Sequence, residues 1–115
     1  MSYGISAKLD LVYEDAVDKV KDALHKEGFG VLTTIDTRDT LRQKLNAEFR
    51  KYIILGACNP PLAHRALQAE LEIGLLLPCN VVVYESDAGE TVVSAVDPVS
   101  AMGSADSPAL KAIAE

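Results

Sequence analysis

An α+β domain, a single mixed β-sheet with helices packed mainly on one face, is what three features of the sequence predict. Apolar runs of strand length alternate with helical periodicities through most of the chain. Two β-rich runs, "NVVVYES" and "TVVSAVD", are joined by "DAGE" near the end, the pattern of a hairpin. The 115 residues match the size of one domain, here residues 1–115, large enough to bury a core without disulfides or a metal. Helices alternating with strands and closed by a hairpin place the helices over one side of one sheet. The order is β-α-β-α-β-α-β-β-α, with 104–115 a short helix or a frayed tail.

The first segment, "YGISAKLDLV", alternates as a strand does. In "YEDAVDKVKDALHKEGFG", Tyr13, Val17, Val20 and Leu24 fall on one helical stripe, widened by Ala16 and Ala23. Glu14, Asp15 and Asp18 lie in its first turns and Lys26 near its end, as the helix dipole favours. Gly28 stops it, because glycine accepts the left-handed backbone of the position after the cap. "FGVLTTID" is a strand, and a short helix capped by Asp36 or Thr37 follows, with Leu41 and Leu45 inward. "KYIILGAC" is too short for a good helix and apolar enough for a strand buried on both faces. Asn59 caps the next helix, and Pro60 or Pro61 fits its first turn, where a missing N–H costs nothing. In "DAGE", Gly89 supplies the positive φ of the turn.

Composition narrows the function classes. A net charge of −6 argues against a general nucleic-acid surface. Arg38, Arg42, Lys44, Arg50 and Lys51 form a local basic run. Its ordinary reading is a solvated helix face and loop, and its alternative an anion site. No apolar run reaches the roughly 18 residues of a membrane span. The N-terminus lacks the basic-then-apolar pattern of a secretory signal, so a cytoplasmic protein with reduced thiols is expected. An open sheet face or edge must be hidden, and a symmetric homodimer is the expected cover.

Four blocks carry a resemblance: "GFGVLTTID" at 28–36, "ILGACNP" at 54–60, "GLLLPCNVVVYE" at 74–85, and Asp97-Pro98 with Met102. With two Cys-Asn steps and a late Asp-Pro, the chain resembles the small bacterial and archaeal proteins of domain of unknown function 302. The resemblance covers nearly everything up to Gly103. It implies an α+β fold of the TATA-binding-protein-like class and a homodimer, and it implies no activity. The tail "SADSPALKAIAE" departs from it, being short and Ala-rich where a longer charged helix is expected.

Cys58 is the residue with most chemistry to offer. Next to a helix start, its thiol pKa would be lowered, and His64, six residues on, would assist a nucleophile. Against this, a cysteine closing an apolar strand is commonly a buried, inert thiol. Cys79 has the same successor but opens a strand. Under a parallel crossover the two sulfurs would lie ~20 Å apart, beyond disulfide reach unless the strands run otherwise or a dimer brings them together. Cys58, His64, Cys79 and His25 match no metal-ligand spacing, so no metal is expected. Asn59 and Asn80 are read as a cap and a strand-entry residue, or as a pair orienting a polar ligand. Asp97 is read as a cap before Pro98, or as a group at the same ligand site. "GFG" lacks the length and the lysine of a phosphate loop, and no cofactor is identifiable.

Two functions follow as expectations. The first is a dimeric binding or accessory domain with a small ligand or partner near Cys58, Asn59, Cys79, Asn80 and Asp97. The second is a thiol-dependent redox or sulfur-handling protein with Cys58 as nucleophile, assisted by His64 or Cys79. Whether the chain is an enzyme is left open by the residues.

Overall fold

The computed structural model describes residues 4–97. In order along the chain these form β1 (Gly4–Leu9), α1 (Tyr13–Lys26), β2 (Gly30–Asp36), α2 (Thr37–Leu45), β3 (Tyr52–Cys58), α3 (Pro60–Ala69), β4 (Cys79–Glu85) and β5 (Thr91–Val96). A 3₁₀ turn over Leu71–Leu76 links α3 to β4. The predicted helical tail and the Pro98 cap lie outside the described residues. The α+β class holds, but the sheet is antiparallel throughout rather than mixed. Its strand order is β1-β5-β4-β3-β2, and every neighbouring pair is antiparallel. The segment between β3 and β4 is the physical reason. Because α3 packs chiefly against the 3₁₀ turn, it brings the chain back beside β3 in the opposite direction and does not cross over the sheet.

The caps and the α1 stripe act as their residue types require, whereas Leu45 of α2, expected inward, is exposed. In α1, Ala16 and Val17 are buried, and Tyr13, Val20 and Leu24 pack on the same core cluster. Gly28 follows the C-cap at φ +86°, a left-handed conformation that glycine adopts without a Cβ penalty. Asp36 caps α2, accepting from the Asp39 N–H at 3.0 Å. The hairpin turn has Gly89 at φ +79°.

The core lies between α1 and one face of the sheet. It is built on Ile53 and Leu55 of β3, paired with Val83 and Val81 of β4. Side chains alternate across a strand, so Tyr52, Ile54 and Gly56 face the other way, with their partners Tyr84, Val82 and Asn80. Tyr52 and Tyr84 stack there with ring centroids 5.3 Å apart. Thr91, the polar residue most fully buried among those described, donates its hydroxyl to the Leu11 carbonyl at 2.7 Å, as most buried hydroxyls do.

Gly56 is the tightest point of the sheet. A Cβ there would overlap Thr33 Oγ1 and lie 2.8 Å from Pro78 Cγ. Glycine therefore lets β2 and the segment entering β4 close over β3. We expect Gly56→Ala to destabilise the fold by about 1–3 kcal/mol, the usual cost of overpacking. Urea unfolding checks this, and an unchanged midpoint would show that Thr33 and Pro78 give way freely.

Candidate functional site

The antiparallel β3–β4 pairing sets Ala57 opposite Cys79, and this creates the site. Cys58, the next residue on β3, is therefore at the same end of the sheet as Cys79. The ~20 Å separation expected from a parallel crossover does not occur, because the strands run antiparallel. Both thiols are free, and both line a cavity of about 430 Å³.

Its wall is contributed by separate parts of the chain. Phe29 follows the end of α1, and Leu32 and Thr33 sit at the β-bulge of β2. Ala57, Cys58 and Asn59 close β3, while Leu62, Ala63, Ala66 and Leu67 come from α3. Leu77, Pro78 and Cys79 lead into β4. Carbon and sulfur dominate this lining, and it contains no ionisable side chain other than the two thiols.

Asn59 is the joint. Its Oδ1 accepts from the Leu62 N–H at 3.2 Å, capping α3. Its Nδ2 lies 3.3 Å from where a Cβ on Gly28 would be, so the end of α1 and the start of α3 meet across one side chain. The cap has a consequence for Cys58. Pro60 and Pro61 have no N–H, Leu62 donates to Asn59 Oδ1, and Ala63 donates to the Asn59 carbonyl at 2.9 Å. The first turn of α3 thus has no free donor to offer a thiolate, although a helix start beside a cysteine ordinarily supplies one. Burial, reinforced by the charge of Cys58, pushes the Cys79 thiol up.

The other sequence-singled residues are not gathered here. His64 is exposed on α3 and outside the lining, as is His25 on α1. Asn80 faces away from Cys79 by strand alternation. It lines a separate groove with Tyr52, Tyr84, Val82, Ser94 and the leucines of the 3₁₀ turn. Asp97 follows β5, two residues past Ala95, which pairs with Val81. It is thus at the Cys79 end of the sheet but does not line the cavity. Among the described residues, no three His, Cys, Asp or Glu side chains gather as a metal site, and no helix is long and apolar enough to cross a membrane.

Three of the five cations in the basic run are engaged by carboxylates. Arg42 pairs with Glu48 at 3.5 Å, Lys51 with Glu14 at 2.8 Å, and Arg50 with Asp87. A larger cleft of about 720 Å³ opens at the opposite end of the sheet, around Tyr13, Glu14, Lys51 and Glu85. Of the residues singled out in the sequence it holds Lys51, paired with Glu14, and burial with Asp36, Glu14 and Glu85 pushes its Tyr13 phenol up to about 12. Its character is acidic and solvated.

The family profile described as "Domain of unknown function DUF302" matches residues 5–115. The chain belongs to this family. It is also similar to the uncharacterized conserved protein DUF302 from Bacillus stearothermophilus, known from a crystal structure, at 31% identity and a TM-score of 0.91. That match covers 99% of this chain and 88% of the other. No match was found among curated proteins. Three of the blocks carrying the family resemblance, around Phe29, Cys58 and Cys79, converge on the one cavity.

Sequence reasoning missed Leu62, Ala63, Ala66, Leu77 and Pro78 as site residues. The available signal was the small-residue spacing of Ala63 and Ala66 on a helix that begins at Asn59.

The raised Cys79 pKa makes a prediction with a definite sign. Alkylation of Cys79 by iodoacetamide should rise with a midpoint above that of a free thiol, about 8.5. Cys58→Ser should lower the midpoint only in part, since burial is the larger cause. Folding stability should fall as pH rises past the thiol pKa of the unfolded chain, where the unfolded state ionises first. An ordinary midpoint at Cys79 would contradict this.

Proposed function

We propose that the chain is a small-ligand-binding domain whose ligand occupies the cavity between α3 and the ends of β3 and β4. The observation that carries this reading is the cavity itself. It is an apolar space of about 430 Å³, within the size range of small-molecule sites, with a few polar groups at its margin. Apolar side chains line this partly open space between a helix and a sheet, and an apolar occupant would remove them from water.

Cys58 and Cys79 act as soft lining groups in this reading. A nucleophilic Cys58 draws no support from its surroundings: His64 is exposed and outside the cavity, the first turn of α3 has no free N–H, and its thiol neighbour is pushed up.

The test uses N-phenyl-1-naphthylamine, an uncharged dye that brightens in apolar surroundings. Saturable binding is expected. Ala63→Phe, which fills the cavity, should weaken it at least about tenfold, or about 1.4 kcal/mol, with a thermal midpoint near that of the parent. Ala63→Ser, which keeps the volume, should leave the affinity within a few-fold. Binding untouched by Ala63→Phe would overturn the reading.

A specific observation favours self-association as a second property. The groove on the sheet face opposite α1 is lined by Tyr52, Tyr84, Val82, Asn80, Ser94 and Leu75–Pro78, with Gly4, Ser6 and Val96, and none of these is charged. Leu75 is 82% exposed and adjoining Leu71 84%. In a chain of net charge −6, a face without charge can meet its own copy without like-charge repulsion. A second copy of this chain is therefore the occupant proposed for it. Sedimentation velocity at micromolar concentration should give a dimer, and Leu75→Glu or Tyr84→Lys a monomer. A monomeric parent would remove this property and leave the cavity reading intact.

A further inference from the structure

On the reading that the cavity is a ligand site, we infer that it selects an uncharged molecule: a compact apolar body carrying one hydrogen-bond acceptor, such as a ketone, aldehyde or alcohol oxygen, that meets Asn59. The first ground is the absence of counter-charge. No Lys, Arg, His, Asp or Glu lines the cavity, and an ionised carboxylate or ammonium moved into such a space loses its hydration without a partner.

The second ground is the state of the α3 N-terminus. A helix start commonly receives anions through its free N–H groups. Here Pro60 and Pro61 have none, and the Leu62 and Ala63 N–H groups are held by the Asn59 side chain and carbonyl. The electrostatic feature that would most readily compensate an anion at this end of the cavity is thereby closed.

The third ground is the polar group that Asn59 leaves unengaged. Asn59 Oδ1 is engaged by the Leu62 N–H, so the group it has left for a ligand is the Nδ2 donor. A donor asks for an acceptor. Thr33 adds one hydroxyl to the wall, and the rest, from Phe29 and Leu32 to Leu62, Ala66 and Pro78, offers apolar contact and the two thiols. Desolvation favours the neutral species, and Asn59 orients it.

A matched pair of compounds tests this. 2-Acetylnaphthalene and 2-naphthoate have nearly the same shape, and differ in carrying a methyl ketone or a carboxylate. Each is competed against N-phenyl-1-naphthylamine on the full chain at neutral pH. The ketone should displace the dye at a concentration at least about tenfold lower than the carboxylate, a difference of about 1.4 kcal/mol. Asn59→Asp keeps a good helix cap while replacing the Nδ2 donor with an oxygen. It should weaken the ketone several-fold with little change in thermal midpoint. Equal or tighter binding of 2-naphthoate would overturn the inference and leave the ligand site standing. So would dye binding that neither compound displaces, or a ketone affinity that Asn59→Asp leaves unchanged. Failure of the dye itself to bind would overturn the ligand reading, and the inference with it.

Discussion

The pairing of β3 with β4, Ala57 opposite Cys79, is the constraint on which the rest of the molecule depends. It places Ile53 and Leu55 beside Val83 and Val81, so that α1 has a continuous apolar floor to cover. It also returns the α3 and 3₁₀ segment to the end of the sheet where β3 left it. A one-residue slip would turn the core residues outward. It would also part Cys58 from Cys79 and move Gly56 out from under Thr33 and Pro78. Fold and cavity thus rest on the same register, and Gly56 is the residue at which the closeness of that pairing is most visible.

Charge is distributed so as to leave the cavity alone. The basic run after α2 is largely paired with Glu14, Glu48 and Asp87. These exposed pairs each stabilise the fold little, yet they engage three of the five cations of that run. At the other end of the sheet, the two prolines and Asn59 close the start of α3. What remains around Cys58 is apolar surface, two thiols, the Thr33 hydroxyl and one amide donor. Thiol chemistry needs an ionised sulfur, and these surroundings favour the neutral form at Cys79.

Local features were legible in the sequence because they rest on single residues. Gly28 stops α1, Asp36 caps α2, Asn59 caps α3, and Gly89 turns the hairpin, each for a reason visible in its own side chain or lack of one. Strand direction was not legible. The stretch from Asn59 to Pro78 is long enough for a parallel crossover, and nothing in its periodicity says that α3 packs on the 3₁₀ turn instead. The distance between the two sulfurs stayed open for the same reason. Of the residues the sequence singles out, Cys58, Asn59 and Cys79 line the cavity, and His64 and Asn80 do not. His64 is close to Cys58 in sequence but exposed on α3, and Asn80 adjoins Cys79 but faces the opposite side of the sheet. Phe29 and Leu32 enter the cavity only through tertiary packing, which no local pattern announces.

The central claim is that an apolar, accessible space lies between α3 and the ends of β3 and β4. Pressurising crystals of the protein with xenon tests it most directly, since xenon enters dry apolar cavities and avoids polar ones. The account predicts a xenon site bounded by Ala66, Leu62 and Cys79. A space filled by side chains, or by ordered waters hydrogen-bonded across it, would contradict the claim.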